Sequence, residues 1–459
     1  MFLSGRRKIF TNYTEVNDNN IKQILMETYA KFINNQAEIE YLFDYYRGIQ
    51  PVLLREKKVR QEINNKIVEN HAYSIAQFRA GYLLQRPIQY VARKDSVDDE
   101  SIIALNDNME IENKESNDKE VENDRAICGT AYRLVLPNKN YVADGDESLF
   151  NFYRIDPRVA YVVYSSGIGE KPLLGVVVLF EKDANTNETR VILQAYTDKA
   201  FYRYNYTDNV EPDKKEHSIG YVPLIEYPNG KDRMGTFEPV IPMLDAVNTI
   251  QSNRVDGVEQ FIQALLVFKN IEVTKEMMEK LKELGAIQIT DSGEVKANVE
   301  YLQQELNQTQ VQTLKRDMID CAYKICGVPT RNGSGSGDTG QATIMRDGWS
   351  EAEAKVQEDE LSFRASEKQF LKVALYYMNT LSLGKYKLRL QDIAIKFTRR
   401  NYENAYQKAQ MLDLMLKNPK IAPRLAFETC GLFSDSEEAY NESNEYYLSQ
   451  LKEEPNVQN

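Results

Sequence analysis

Residues Tyr221–Lys269 read YVPLIEYPNGKDRMGTFEPVIPMLDAVNTIQSNRVDGVEQFIQALLVFK. The stretch changes from strand grammar to helix grammar. Leu224, Ile225 and Tyr227 form a β-prone run that ends at the turn Pro228–Asn229–Gly230. Pro239 and Pro242 stand where the first turn of a helix tolerates proline. No proline follows up to Lys269, and Leu244, Val247, Val258, Phe261, Leu265 and Phe268 share one stripe. The spacing predicts a helix over 242–269, about 40 Å long at 1.5 Å per residue.

Upstream, the composition is that of a sheet. GTAYRLVLPN, LFNFYRIDPRVAYVVYS, LLGVVVLFE and RVILQAYTDKAFYRYN are rich in Tyr, Val, Ile and Phe, with breaks at Pro137–Asn138, Gly167, Asn185 and Asp208. These predict an antiparallel sheet region from Cys128 to about Gly230. Further upstream, 15–46 and 59–85 read as helices. In the second, Ile67, His71, Ile75 and Phe78 make a stripe, and Pro87 ends it. The segment 100–126 is also helical in pattern.

Downstream, 271–305 predicts a small αβ unit. It comprises a helix TKEMMEKLKELG closed by Gly285, a strand AIQIT, the turn Asp291–Ser292–Gly293 and a strand around EVKANVEYL. A helix over 307–326 ends at Gly327, with Pro329 beyond. RNGSGSGDTG, Arg331–Gly340, is of low complexity and predicts a flexible loop. A helical pattern from Gln341 to Leu381 is roughly 60 Å long if unbroken, with Gly348 as a point of kinking. LRLQDIAIKFT, 388–398, alternates as a strand among helices. A single strand leaves its backbone unpaired, so it is expected to return to the 128–228 sheet. That makes 236–385 an insertion within one sheet domain. Residues 402–454 read as two or three helices split by Pro423 and Gly431. The fold class is α+β.

The chain has 459 residues, a net charge of −12 and 42% hydrophobic residues, enough for a packed core. Two histidines, His71 and His217, leave little room for His-based metal sites or catalysis. Cys128, Cys321, Cys326 and Cys430 are too few for a disulfide framework and read as small buried thiols. No apolar run approaches the ~18 residues of a membrane span. The start, MFLSGRRKIF, lacks a secretory apolar core, so synthesis and use in a cytoplasm are expected.

The acidity is concentrated. Residues 95–126 hold twelve acidic and three basic residues, and 433–459 hold seven and one. The remainder has 50 acidic and 53 basic residues, a net of +3. Each acidic segment reads as a solvated helical surface, or as an outward surface kept away from a polyanion. The overall charge excludes a tight, basic grip on nucleic acid rather than every nucleic-acid partner.

Catalytic motifs fail on inspection. Gly335, Gly337 and Gly340 match GxGxxG by letter, but a helix precedes them where a dinucleotide site needs a strand. Gln341 and Ala342 occupy the lysine and hydroxyl positions of a phosphate loop. Asp98–Asp99–Glu100 and Glu358–Asp359–Glu360 are adjacent carboxylates that point in different directions on a helix. Neither an enzyme nor a cofactor is expected.

Several stretches together resemble the portal (head–tail connector) proteins of tailed bacteriophages, in the class found in siphophages of Gram-positive hosts. They are AGYLLQRPIQY (Ala80–Tyr90), the Gly220–Asn270 stretch, ICGVPTRNGSGSGDTGQATIMRDG (Ile325–Gly348), and IAIKFTRR with the NYENAYQKAQML helix after it. The resemblance spans roughly 60–430. It implies a portal-like ring subunit, dodecameric in the virion, at a capsid vertex, with assembly in the host cytoplasm. On that reading 1–126 is the N-terminal helical part of a wing, 127–235 its β-rich part, 236–270 and 307–328 two stem helices, and 271–306 a clip. Residues 329–341 form a tunnel loop, 342–400 a long wing helix with the returning strand, and 401–459 a helical crown with an acidic tail.

The implied function is a conduit for double-stranded DNA in genome packaging and ejection. The implied partners are further copies of the chain, the DNA, a large terminase, a head–tail adaptor, and major capsid and scaffolding proteins, with no membrane. The tunnel-loop candidates are Arg331, Asn332, Ser334, Ser336, Asp338, Thr339 and Gln341. Lys315 and Lys324 are candidates on the stem, and Thr290, Asp291, Ser292 and Glu294 for adaptor contact at the clip. A small polar loop suits sliding DNA, because a lysine-rich one would bind tightly and brake translocation. The acidic 95–126 segment is expected to face away from the channel. Two alternatives stay open: an assembly protein without DNA passage, and a metal-dependent nuclease.

Overall fold

The computed structural model describes the chain apart from residues 1–3, 59, 94–98, 143–146, 183–186, 263–264, 270–273, 277–278, 280–297, 303–307, 331–347, 399–404, 434–435 and 454–459. It is a mixed α+β chain in two compact units. One comprises residues 1–46, 72–239 and 323–459, and the other 47–71 and 240–322.

The larger unit is layered. Strands β1 (Ile9–Thr11), β5 (Ala160–Ser165), β6 (Pro172–Lys182), β7 (Thr189–Tyr196), β8 (Ala200–Asn205) and β9 (Asp213–Glu216) form a six-stranded sheet in that order. β1 runs parallel to β5, and the other pairs are antiparallel. Helix α1 (Ile21–Tyr46) covers one face with Ile24, Leu25, Tyr29 and Phe32, and Phe32 stacks on Tyr161 with ring centroids 4.6 Å apart. The other face meets a second, three-stranded antiparallel sheet of β3 (Thr130–Pro137), β4 (Phe150–Ile155) and β10 (Leu224–Pro228). Tyr132, Leu134 and Leu224 pack there on Ala160, Val162 and Val177. The 128–230 region thus holds two sheets rather than one. Sequence alone could not divide them, because strands of either sheet show the same β-prone composition.

The far side of the three-stranded sheet is closed by α7 (Trp349–Leu381), about 50 Å long at 1.5 Å per residue, through Phe363, Phe370, Leu371 and Ala374. Gly348 is a left-handed residue at the start of this helix rather than a kink within it. Helix α2 (His71–Leu83) is shorter than the expected 59–85, and 60–70 is non-helical. The expected single helix over 100–126 is two, α3 (Asp99–Ile111) and α4 (Lys114–Cys128), divided at Asn113, whose φ is +51°. Gly129 ends α4 at φ +81°. A Cβ there would stand 2.0 Å from the Arg233 carbonyl oxygen, so only glycine fits the helix-to-strand turn.

The strand predicted at 388–398 is shorter, β13 (Ile393–Lys396), and does not join the 128–228 sheet. It pairs antiparallel with β2 (Gln89–Ala92), just past α2, in a separate two-stranded ribbon. The need for a partner was legible. The partner was not, because β2 is only four residues long and follows a proline. Among the described residues the C-terminal part has three helices, α8 (Ala405–Leu416), α9 (Pro423–Cys430) and α10 (Ser436–Glu453).

In the smaller unit, helix α5 spans Ile241–Ile262, about 33 Å, and not 242–269. Leu265–Lys269 is instead a strand, β11, paired antiparallel with β12 (Asn298–Leu302). LLVFK satisfies a helical stripe and a strand equally well, and its pairing decides. Helix α6 (Gln308–Ile325) follows. The predicted strand AIQIT lies outside the described residues. The expected insertion 236–385 is replaced by a unit that recruits 47–71 and excludes the long helix.

Candidate functional site

Of the residues expected to contact DNA or an adaptor, Lys315 and Lys324 are described. Arg331, Asn332, Ser334, Ser336, Asp338, Thr339 and Gln341, and Thr290, Asp291, Ser292 and Glu294, lie outside the described residues.

Lys315 belongs to a polar cluster that joins α5 to α6 in the smaller unit. Its ammonium pairs with the Glu69 carboxylate and donates to Gln251 Oε1 at 2.9 Å, and the side chain is 11% exposed. Glu69 Oε2 lies 3.2 Å from His71 Nε2. One turn along, Arg254 donates to Gln312 Oε1 at 2.6 Å. The Lys315 charge is therefore neutralised within its own unit. Lys324, by contrast, is exposed. α6 carries Lys315, Arg316 and Lys324 against Asp317 and Asp320, and Arg316 approaches Asp320 at 3.9 Å. Such a helix offers a passing polyanion weak attraction rather than grip.

Sequence reading missed what fixes α5. Asn248, Ser252 and Asp256, four residues apart on one helix face, are all buried. Each accepts a backbone N–H from the extended segment beside it: Asn248 Oδ1 from Glu69 at 2.8 Å, Ser252 Oγ from Ile67 at 3.0 Å, and Asp256 Oδ1 from Asn65 at 2.7 Å. The match is metric. Two residues of extended chain advance about 6.6 Å and four of helix about 6 Å, so alternate N–H groups meet successive turns. Gln50 ties in further, accepting from Asn248 Nδ2 at 2.5 Å. Asp256 also pairs with Arg55 at 3.2 Å and Lys57 at 2.5 Å. Burial pushes its carboxyl up, but the bonds from Lys57 and Asn65 hold it below the usual range. The available signal was the i, i+4, i+8 spacing of Asn, Ser and Asp alongside the apolar stripe, a row that otherwise reads as a solvated face.

The acidic 95–126 segment is not a solvated surface throughout. In α4, Asp118, Glu122 and Asp124 are buried. Asp118 pairs with Arg133 and, at 2.5 Å, with Lys114. Glu367 of α7 completes this network. It meets Lys114 at 2.8 Å and Arg133 at 3.3 Å and accepts from Tyr90 at 2.5 Å and Tyr227 at 2.9 Å. Burial pushes the Glu367 carboxyl up, but Lys114 and Arg133 overcome it and hold it below the usual range. Glu122 bonds Arg125 at 2.6 and 3.0 Å, and Asp124 bonds Arg154 at 2.5 and 2.6 Å. Burial pushes Glu122 up to about 7 and Asp124 up to about 6. These charges bind α4 to β3, β4 and α7. The C-terminal acidic helix α10 does expose Tyr446, Tyr447 and Leu448.

Of the four cysteines, Cys321 is exposed and the other three are buried. Burial pushes the Cys326 thiol up to about 12. Among the described residues no group of three or more His, Cys, Asp or Glu side chains is arranged to hold a metal ion, and no helix is long and apolar enough to cross a membrane.

The profile of the family described as "Phage portal protein, SPP1 Gp6-like" matches residues 11–454. Among solved structures, a chain of "Neck of empty GTA particle computed with C6 symmetry" is similar at 9% identity and a TM-score of 0.44, covering 79% of this chain and 90% of that one. No curated protein matches the chain. A match that runs from β1 to the last turn of α10 leaves no large part of the fold unaccounted for, and the chain belongs to the SPP1 Gp6-like family of phage portal proteins.

Proposed function

We propose that this chain is one subunit of an oligomeric ring at the capsid vertex, a conduit for double-stranded DNA during packaging and ejection and a platform for the terminase and head–tail adaptors. The observation that carries the reading is the family match over residues 11–454. The smaller unit supports it: two long helices, α5 and α6, bracket the two-stranded β11–β12 sheet, as a stem carrying a clip requires. On this reading the two sheets with α7 are the wing, and α8–α10 the crown. The self-neutralised polar surface of α6 suits a wall past which DNA slides. The buried carboxylates Asp118, Glu122 and Glu367 pair with basic side chains that hold the fold together, a role that needs no nuclease chemistry.

Negative-stain electron microscopy of the purified protein tests this. Rings with a central hole are expected. A protein that stays monomeric in all conditions, including with capsid partners, would overturn the proposal.

A further inference from the structure

A groove of about 750 Å³ lies between α7 and the β2–β13 ribbon of the larger unit. Its lining includes four cations, Arg93, Arg364, Lys368 and Arg389, and no carboxylate. Arg364 and Lys368 stand one turn apart on α7, about 6 Å along its axis. Arg389 precedes the turn Leu390–Asp392 that leads into β13. Arg93 follows β2, where its backbone N–H donates to the Asp392 carbonyl at 2.9 Å. Two of the cations are partly neutralised by carboxylates outside the lining: Arg364 pairs with Glu360, and Arg389 with Asp392 at 3.1 Å. Their side chains stay 34% and 72% exposed. Arg93 and Lys368 are exposed, with no side-chain hydrogen bond or ion pair among the described residues. Four cations against two carboxylates leave a net of +2, on a chain whose sum is −12. Like charges held in one groove repel, and an anion relieves them.

The surroundings select the anion. An acidic helix would need an apolar floor for its apolar face. Strand β13 offers little, because Ile393 is 3% exposed and Ile395 is half-buried. A phosphodiester backbone needs no such floor, since every unit carries charge and arginine forks meet phosphate oxygens in pairs. No aromatic side chain lines the groove, so the splayed bases of a single strand find no stacking platform there. We propose that this groove takes the phosphate backbone of double-stranded DNA, independently of sequence, as a contact made by residues outside α6 and the 329–341 loop. Unlike the self-neutralised surface of α6, it holds DNA rather than letting it slide. The contact does not require the ring proposed above, and the test separates the two.

Fluorescence anisotropy of a short labelled duplex of arbitrary sequence, titrated with the full chain from about 50 to 200 mM salt, measures it. The Arg93→Ala/Lys368→Ala variant should bind about tenfold more weakly, with a log K against log salt slope shallower by about 2. The Lys139→Ala/Lys215→Ala variant removes the same charge from exposed positions elsewhere in the larger unit and should bind as wild type. Unchanged binding in the groove variant, or equal losses in both variants, overturns the proposal. A labelled single strand bound more tightly than the duplex overturns the choice of duplex. Labelled poly-glutamate that loses binding in the groove variant, while the duplex does not, assigns the groove to an acidic protein instead. Rings seen by microscopy with a groove variant that binds as wild type would leave the portal reading standing and remove this contact. Groove-dependent binding by a protein that forms no rings would do the reverse.

Discussion

The backbone N–H of Asn65 donates to Asp256 Oδ1 at 2.7 Å, so a carboxylate on helix α5 holds an extended strap almost two hundred residues earlier in the chain. The same carboxylate meets Arg55 and Lys57. Asp256→Ala would leave one N–H and two cations without their partner. The expected loss is about 3–5 kcal/mol in the smaller unit, read by chemical denaturation or by faster hydrogen exchange over 47–71. Ser252→Ala removes a single neutral acceptor and should cost about 1 kcal/mol. Equal effects from both replacements would mean that charge pairing is not what anchors the strap.

Glu367→Leu should be the most damaging of these changes in the larger unit. The carboxylate is fully buried and serves Lys114, Arg133, Tyr90 and Tyr227. Its loss leaves two buried cations, Lys114 and Arg133, to share the single carboxylate of Asp118, a cost of about 3 kcal/mol. Far less soluble protein, or a clearly lower Tm, is expected, and a wild-type Tm would refute the account.

Glu122 gives a pH signature of defined sign. Its carboxyl is pushed up to about 7 by burial, against a usual value near 4.5. A raised carboxyl contributes stability that is fully present below the unfolded value and lost as pH rises through the folded one. Glu122→Gln cannot titrate, so the Tm gap between wild type and variant should narrow as pH rises from about 5 to 8. A gap that stays constant over that window would show that Glu122 is ionised throughout. Asp256 and Glu367, held below the usual range, have the opposite sign and lose their contribution in acid.

Lys315 and Glu69 should behave as a unit. Alanine replacements at each, combined in a double-mutant cycle, are expected to show a coupling of about 1–2 kcal/mol, because the pair is largely shielded from solvent. Packaging should fall only in step with stability. A packaging defect in a Lys315→Ala protein of normal stability would point to direct contact with DNA.

Deleting Ser334–Asp338 should impair DNA packaging and leave ring assembly intact. Packaging efficiency and electron micrographs of the same preparation check this together. Unimpaired packaging would remove the tunnel-loop assignment.

Local grammar alone determined much of this protein. The β-rich run after Cys128, the helix that starts beyond Pro239, the helix closed by Gly327 and the helical character of 402–454 follow from residue spacing and from proline and glycine stops, which act within a turn or two. Tertiary structure alone decided pairings and burial. LLVFK fits helix or strand until β12 lies beside it, and β13 needs a partner that only folding supplies. The acidic 95–126 segment reads as solvent-facing until Arg133, Arg154 and Glu367 are found around its buried charges. A charge shows its sign in the sequence. Whether water or a buried guanidinium faces it depends on residues distant in the chain, and no local pattern encodes them.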